Sequence, residues 1–261
     1  MQITIFASGS GGNCMLLSEE NTYLLIDAGI SMRRLQSALR QSGLQIQDIG
    51  GVLITHEHSD HVSGLKTLLR YYELPLYAPH TVAARLCGQI PEAAPLLHVI
   101  PVGDAFEIGG VRVRAFHTPH DTDESVGYRV EGSAVFALAT DMGHVTDEVL
   151  EGLLGADTVL IESNHDLDML CGGPYPFYLK RRILSERGHL SNADCALLAG
   201  QLARSGTSTI ILGHLSRENN LPELALAECA GALEGCGTRL YCAPAFGRLS
   251  LQMGEGEPCL P

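Results

Sequence analysis

The chain has 261 residues, 45% of them hydrophobic, and its 17 basic and 30 acidic residues leave a formal charge of −13. That charge argues against broad, nonspecific nucleic-acid binding, which rests on basic patches, but leaves room for a localised one. No stretch approaches the ~20 apolar residues that cross a bilayer. The opening MQITIFASGSGG has neither a basic n-region nor a cleavable apolar segment, so no membrane association and a cytoplasmic location are expected.

Short apolar segments then alternate with helical patterns. Ile3-Thr4-Ile5-Phe6, Cys14-Met15-Leu16-Leu17 and Thr22-Tyr23-Leu24-Leu25-Ile26 read as strands separated by Gly/Ser and Glu/Asn turns. Asp27-Ala28-Gly29 ends the third, and Ser31 stands where a helix through Leu39 would be capped. The apolar run Gly51-Val52-Leu53-Ile54-Thr55 is a buried-type strand that ends directly in His56-Glu57-His58-Ser59-Asp60-His61. On a helix His56 and His58 would point about 200° apart. The segment therefore reads as a loop aiming side chains at two points, with ligand types that suit zinc, manganese or iron.

His61 to Tyr72 reads as a helix with Val62, Leu65, Leu68 and Leu69 on one face, followed by a strand over Leu74 to Ala78 and a short helix over Thr81 to Leu86. Leu97 to Leu138 is strand-rich. Thr158-Val159-Leu160-Ile161 and Thr209-Ile210-Ile211-Leu212 are buried-type strands, with a helix from Ser191 to Arg204 between them, capped by Ser191 and Asp194. No repeat or linker interrupts the pattern, so one domain over 1–253 and a disordered tail over 254–261 are expected. The eight cysteines form no CxxC pair and read as free thiols in a reducing cell.

Three of the later strands run into potential ligands: Phe116-His117-Thr118-Pro119-His120, Ala139-Thr140-Asp141 and Leu212-Gly213-His214. Strand ends are held by a sheet, as a preorganised metal site requires. HxHxDH followed by His, Asp and His in this order resembles the metallo-β-lactamase superfamily, whose fold is a four-layer αβ/βα sandwich of the α/β class. Ala115-Phe116 with His120 and Val126-Gly127-Tyr128 is similar to the third-motif region of ribonuclease Z. Glu162-Ser163-Asn164-His165 with Gly188-His189-Leu190-Ser191 resembles that enzyme's accessory-histidine segment. SGSGGNC, SNHD, YPFYLKRRILSERGHLSNAD and GHLSRENN together look like the YycJ/WalJ family, a bacterial group regarded as DNA exonucleases.

The resemblance implies two divalent metal ions, zinc or manganese or else iron. His56, His58 and His120 would hold one, Asp60, His61 and His214 the other, and Asp141 would bridge them. Asp27 matches a buried aspartate that supports the histidine loop from behind. His117 competes with His120 for its place; the spacing from Phe116 to Gly127-Tyr128 fits His120. The long arm of ribonuclease Z and the large insert of RNA-processing nucleases have no counterpart in this sequence.

The implied activity is phosphodiester hydrolysis of nucleic acid, DNA above all, with 5′-to-3′ polarity and a metal-generated hydroxide. Asp60 would orient or deprotonate the water and His189 would protonate the departing oxygen. Lys180, Arg181 and Arg182, with Arg217 beyond His214, are candidate phosphate contacts. A small-molecule hydrolase acting on a cyclic phosphodiester, lactone or thioester, and a metal-binding regulatory protein without turnover, are the alternatives. The sequence leaves the oligomeric state open.

Overall fold

The strands of the first half are apolar on both faces, and each face finds its own cover in the structure, a computed structural model that describes residues 1–254. The first half consists of β1 (Gln2–Ala7), β2 (Cys14–Glu19), β3 (Thr22–Ile26), α1 (Met32–Gln41), β4 (Gly51–Leu53), α2 (Ser59–Val62), α3 (Leu65–Tyr71), β5 (Leu76–Ala78), α4 (His80–Gln89) and β6 (Leu97–Val99). Next come β7 (Ala105–Ile108), β8 (Val111–His117), β9 (Val126–Glu131), β10 (Val135–Ala139), α5 (Asp147–Leu153) and β11 (Thr158–Glu162). The chain closes with α6 (Leu167–Gly172), α7 (Phe177–Ile183), α8 (Asn192–Arg204), β12 (Thr209–Gly213), α9 (Pro222–Ala232), β13 (Arg239–Cys242) and β14 (Leu249–Gln252).

Two seven-stranded sheets result, in the orders β14-β1-β2-β3-β4-β5-β6 and β13-β12-β11-β10-β9-β8-β7. The period of two along each strand divides their residues between separate cores. Ile3, Ile5, Leu24 and Ile26 pack between the sheets against Val113, Tyr128, Phe136 and Leu160. Leu16, Leu25 and Val52 face the other way, against Leu35 and Leu39 of α1, Leu68 of α3 and Leu86 of α4. Ala137, Val159 and Ile210 of the second sheet meet Val149 of α5, Leu198 of α8 and Cys229 of α9. The layers run helix, sheet, sheet, helix: the expected αβ/βα sandwich.

Strands β3 to β6 pair in parallel, as do β10 to β13, and β8 runs the same way as β10 because both are antiparallel to β9. All of these deliver their carboxyl ends to a common edge, where an α/β sheet usually binds ligands.

Several local expectations change. The helix expected over 61–72 is two, because the Asp60 and His61 carbonyls accept from the Asn13 and Ala28 N–H groups and Gly64 N–H donates to Ala28 O, so the helical ladder is interrupted there; a β-carbon on Gly64 would strike the carbonyl oxygens of Ile30 and Ala28. α2 also begins before His61, so the second half of the histidine segment is a helical turn rather than loop. The strand expected from Leu74 starts at Leu76: Pro75 has no N–H for the ladder, and its carbonyl accepts from Val52 instead. α4 outruns the expected Thr81–Leu86 at both ends. Ser31 precedes α1 but makes no side-chain cap, whereas Ser191 accepts from the Asp194 N–H at 3.1 Å. Of the expected tail only Gly254 is among the described residues; positions 255–261, Cys259 included, lie outside them. The other seven cysteines are free thiols.

Gly29 shows how closely the ligand loop is packed. Its N–H donates to Asn13 O at 2.8 Å, and a β-carbon on it would overlap the Asp60 carbonyl. Gly29→Ala should therefore cost about 3 kcal/mol of stability, the upper range for overpacking. A chemical-denaturation curve measures this, and a loss below about 1 kcal/mol would mean that the loop yields freely.

Candidate metal centre and active site

Six strands end on polar side chains at the common edge. β3 runs into Asp27, β4 into Thr55 to His61, β8 into His117 to His120, β10 into Asp141 and β12 into His214, while β11 closes on Glu162. Three of these ends turn into the left-handed region, with φ of 59° at Asp27, 57° at Asp141 and 55° at His214. Asp and His enter that region more readily than most residues, at a cost on the order of 1 kcal/mol or more each.

The side chains converge as two groups around Asp141. His56, His58 and His120 bring three ring nitrogens together, and Asp60, His61 and His214 form a second set. His120 Nε2 lies 3.3 Å from His58 Nδ1. Asp60 Oδ2 is 3.4 Å from the Nε2 atoms of both His61 and His214. Asp141 reaches both sets, with Oδ2 3.3 Å from His61 Nε2 and Oδ1 3.5 Å from His214 Nε2 and 3.7 Å from His120 Nε2.

Buried acceptors fix which nitrogen each ring presents. Asp27 Oδ2 accepts from His61 Nδ1 at 2.7 Å, and the Asp27 carboxylate also takes the Thr55 N–H and hydroxyl. Glu162 Oε1 accepts from His214 Nδ1 at 2.8 Å, and Gly188 O lies 3.3 Å from His120 Nδ1. Each of these rings then points Nε2 inward, so that loss of the proton there leaves the lone pair a metal ligand needs.

The donor set fits a pair of divalent cations. His56 Nε2 and Asp141 Oδ2 are buried at the centre with no hydrogen-bond partner, and an unpaired buried polar atom is costly. Imidazole and carboxylate are ligands for zinc, manganese and iron alike.

The side chains by themselves share protons unevenly. Burial favours neutral His214, but the Asp141 charge and the hydrogen bonds to Asp60 and Glu162 outweigh it and push the pKa up to about 10. Burial likewise disfavours charge on His61, yet Asp27 and Asp141 hold its pKa well above the ordinary value. His56, buried and beside the cationic His61, goes well below it. Asp141 resists its own burial through His214 and His61 and stays ionised, and Glu162 falls to about 2 as the charges of His189 and His214 overcome desolvation.

Other expected residues lie in varied places. His189, its side chain 23% exposed, gives Nδ1–H to Glu162 Oε1 at 2.8 Å and lines a cleft of about 180 Å³ with Ser10, Asp121, Asn164, Tyr175 and Arg182. His117 stays outside the cluster, 52% exposed and bonded to Glu148. Arg182 is in the cleft, ion-paired with Asp121. Lys180 turns away, donating to the carbonyls of Cys171 and Gly173. Arg181 is exposed on α7, and Arg217 lies over the ring of Phe246.

Glu162 is the residue that reading for ligands passed over. It ends an apolar strand on a carboxylate, the same signal that marked the other positions. Thr55 and Asp121 have no such signature, since their contacts come from chain segments remote in sequence.

A profile described as Beta-lactamase superfamily domain matches residues 22–215. Exodeoxyribonuclease YycJ of Bacillus anthracis is 39% identical over 241 residues, covering 91% of this chain and 90% of that protein. Exodeoxyribonuclease WalJ of Streptococcus pneumoniae is 38% identical over 228 residues, 85% of this chain and 84% of the relative. Zinc-bound PqqB from Methylobacterium extorquens has the same fold, with a TM-score of 0.75 at 20% identity over 97% of this chain and 100% of that one. Fold and site define a metal-dependent hydrolase. The chain belongs to the metallo-β-lactamase superfamily and, within it, to the YycJ/WalJ family.

Two outcomes follow from this geometry. A cation must displace the protons of His214 and His61, so manganese or zinc binding should release protons and tighten as pH rises. In chelator the sign reverses: raised histidine pKa values stabilise the fold below the unfolded value of 6.5, and that gain fades towards pH 10. Calorimetry in chelator should give a Tm at pH 9 at least about 3 °C below that at pH 6.5, a gap that metal shrinks; an equal or higher Tm at pH 9 would refute the proton balance. Separately, His120→Ala should lose metal by elemental analysis while His117→Ala keeps it. The reverse pattern would make His117 the ligand.

Proposed function

We propose that this chain is a cytoplasmic two-metal exonuclease that degrades DNA from the 5′ end. The carrying observation is His189: it lies outside the seven-residue ligand set, is clamped by Glu162 and faces the cleft beside Asp141, which supports a role in acid catalysis on a phosphodiester. The names of the YycJ and WalJ relatives supply the substrate class.

The roles divide by position. His56, His58 and His120 would hold one ion, Asp60, His61 and His214 the other, and Asp141 both. When bound, the ions supply Lewis acidity that neutralises the scissile phosphate and lowers the pKa of water towards ~7. Asp60, with a side chain 22% exposed and an ionised carboxylate, accepts the hydrogen bond that orients the attacking water. Burial opposes charge on His189, but Glu162 raises its pKa, which favours the protonated ring. With Nδ1 committed to Glu162, Nε2–H is the proton given to the departing sugar oxygen. Arg182, which lines the cleft, would contact the next phosphate, with Arg181 exposed beside it on α7.

The compact cleft and the net charge of −13 favour a second reading, hydrolysis of a small phosphodiester. Manganese-loaded protein given 5′- and 3′-labelled duplex DNA, single-stranded DNA, RNA and bis(p-nitrophenyl) phosphate separates the two. Release of the 5′ label first from DNA is expected; turnover of the small diester alone would overturn the nuclease reading. His189→Ala should keep both metals and lose about 10²–10⁴ in kcat on DNA, with a much smaller loss where p-nitrophenolate departs. Equal losses on both substrates would remove His189 as the acid.

A further inference from the structure

The glycine loop between β1 and β2 has two neighbours. On one side Ser10 lines the His189 cleft. On the other, Gly11 sits so close to Arg217 and Phe246 that a β-carbon on it would overlap the Arg217 guanidinium. The loop thus joins the catalytic cleft to a second feature unused by the ligand cluster.

That feature is a ring with a cation from each of two distant segments. Phe246, 40% exposed, carries Arg34 with Cζ 3.8 Å from the ring centroid and Arg217 with Cζ 4.4 Å from it. Placing two guanidinium groups on one ring sets like charges against each other. A carboxylate between them would resolve this, and among the described residues neither arginine forms an ion pair; the arginines that do are Arg85, Arg112, Arg129 and Arg182. α1, which supplies Arg34, also carries Arg33 and Arg40 and no acidic residue. Arg248 joins the same face by donating to Gln41 O. In a chain of charge −13, Arg34, Arg217 and Arg248 thus gather locally, and among the described residues none of the three forms an ion pair, while Arg33 and Arg40 lie on another side of α1.

We propose that the Arg34–Phe246–Arg217 stack is a phosphate-gripping subsite for the DNA strand that enters the His189 cleft, the glycine loop forming the path between them. The inference rests on the nuclease reading and adds Arg34 and Phe246 to it. The chemistry selects a polyanion: a single phosphate is fully served by the metal cluster, so a second anion site one loop away serves a ligand with repeated phosphates. The guanidinium planes offer paired donors that match phosphate oxygens, and the ring fixes those planes before binding, which spares ordering cost.

The test is fluorescence anisotropy of a labelled DNA duplex with phosphorothioate-protected ends, bound to the manganese-loaded protein across a salt series. Arg34→Glu should raise Kd at least about tenfold and lower the salt slope by about one. Arg33→Glu and Arg40→Glu make the same charge change on the same helix and should cost less than about threefold. Phe246→Leu keeps both charges but frees them, and should weaken binding between these limits. In turnover, Arg34→Glu should lose at least about tenfold more kcat/KM on DNA than on bis(p-nitrophenyl) phosphate, through KM. Equal weakening by all three charge reversals, or equal kinetic losses on both substrates, would overturn the subsite. Cleavage of DNA by the wild type with binding unaltered in Arg34→Glu would sink the subsite and leave the nuclease reading standing. Loss of binding in the variant, with no nucleic acid cleaved by the wild type, would sink the nuclease reading and leave the subsite.

Discussion

A histidine that faces a cation must first commit its other nitrogen to an acceptor, and the whole edge of this molecule is organised around that requirement. His61 needs Asp27, while His214 and His189 need Glu162. Both carboxylates are almost wholly excluded from water, where an unpaired charge would be very costly. The histidines, together with the Thr55 N–H and hydroxyl at Asp27 and the Met142 N–H at Glu162, make that burial tolerable, and the carboxylates in turn orient the histidines. Folding and site assembly are therefore one equilibrium rather than two.

Glu162 carries this furthest. One oxygen accepts from a ring of the ligand cluster and from the ring assigned the catalytic proton, each at 2.8 Å. Any change in the charge on His214, by proton or by cation, is felt through that oxygen at His189. The second Glu162 oxygen takes the Met142 N–H, which fixes the turn holding Asp141. The proposed bridge Asp141, the proposed ligand His214 and the proposed acid His189 are thus tied to a single side chain at the end of β11.

The charge distribution adds a second layer. An acidic chain can approach a polyanion only where cations are gathered and undistracted by local carboxylates. α7 spends Lys180 on carbonyls and Arg182 on Asp121, and leaves Arg181 free. The face around Phe246 keeps its guanidiniums unpaired. The two groups come from different elements, α7 beside the cleft and the Phe246 stack beside the glycine loop whose Ser10 lines it.

The sequence by itself determined the ligand types, their order and the strands that carry them, because metal ligation needs particular side chains and a buried strand needs a continuous apolar run. The alternation of strands and helices gave the α/β class, and the resemblance carried by the ligand motifs implied its four layers. Of the two close histidines the spacing already favoured His120, and tertiary structure supplied the reason: His117 ends β8 facing solvent and His120 lies beyond the turn, a matter of strand register and pleat. Tertiary structure decided that the helix after His61 breaks, because the Asp60 and His61 carbonyls accept from Asn13 and Ala28 rather than from the next helical turn. It also decided the partnerships of Asp27 with Thr55, Glu162 with His189 and Arg34 with Phe246. Those contacts join residues far apart in the chain, and no local preference encodes a distance that only the packing of two sheets creates.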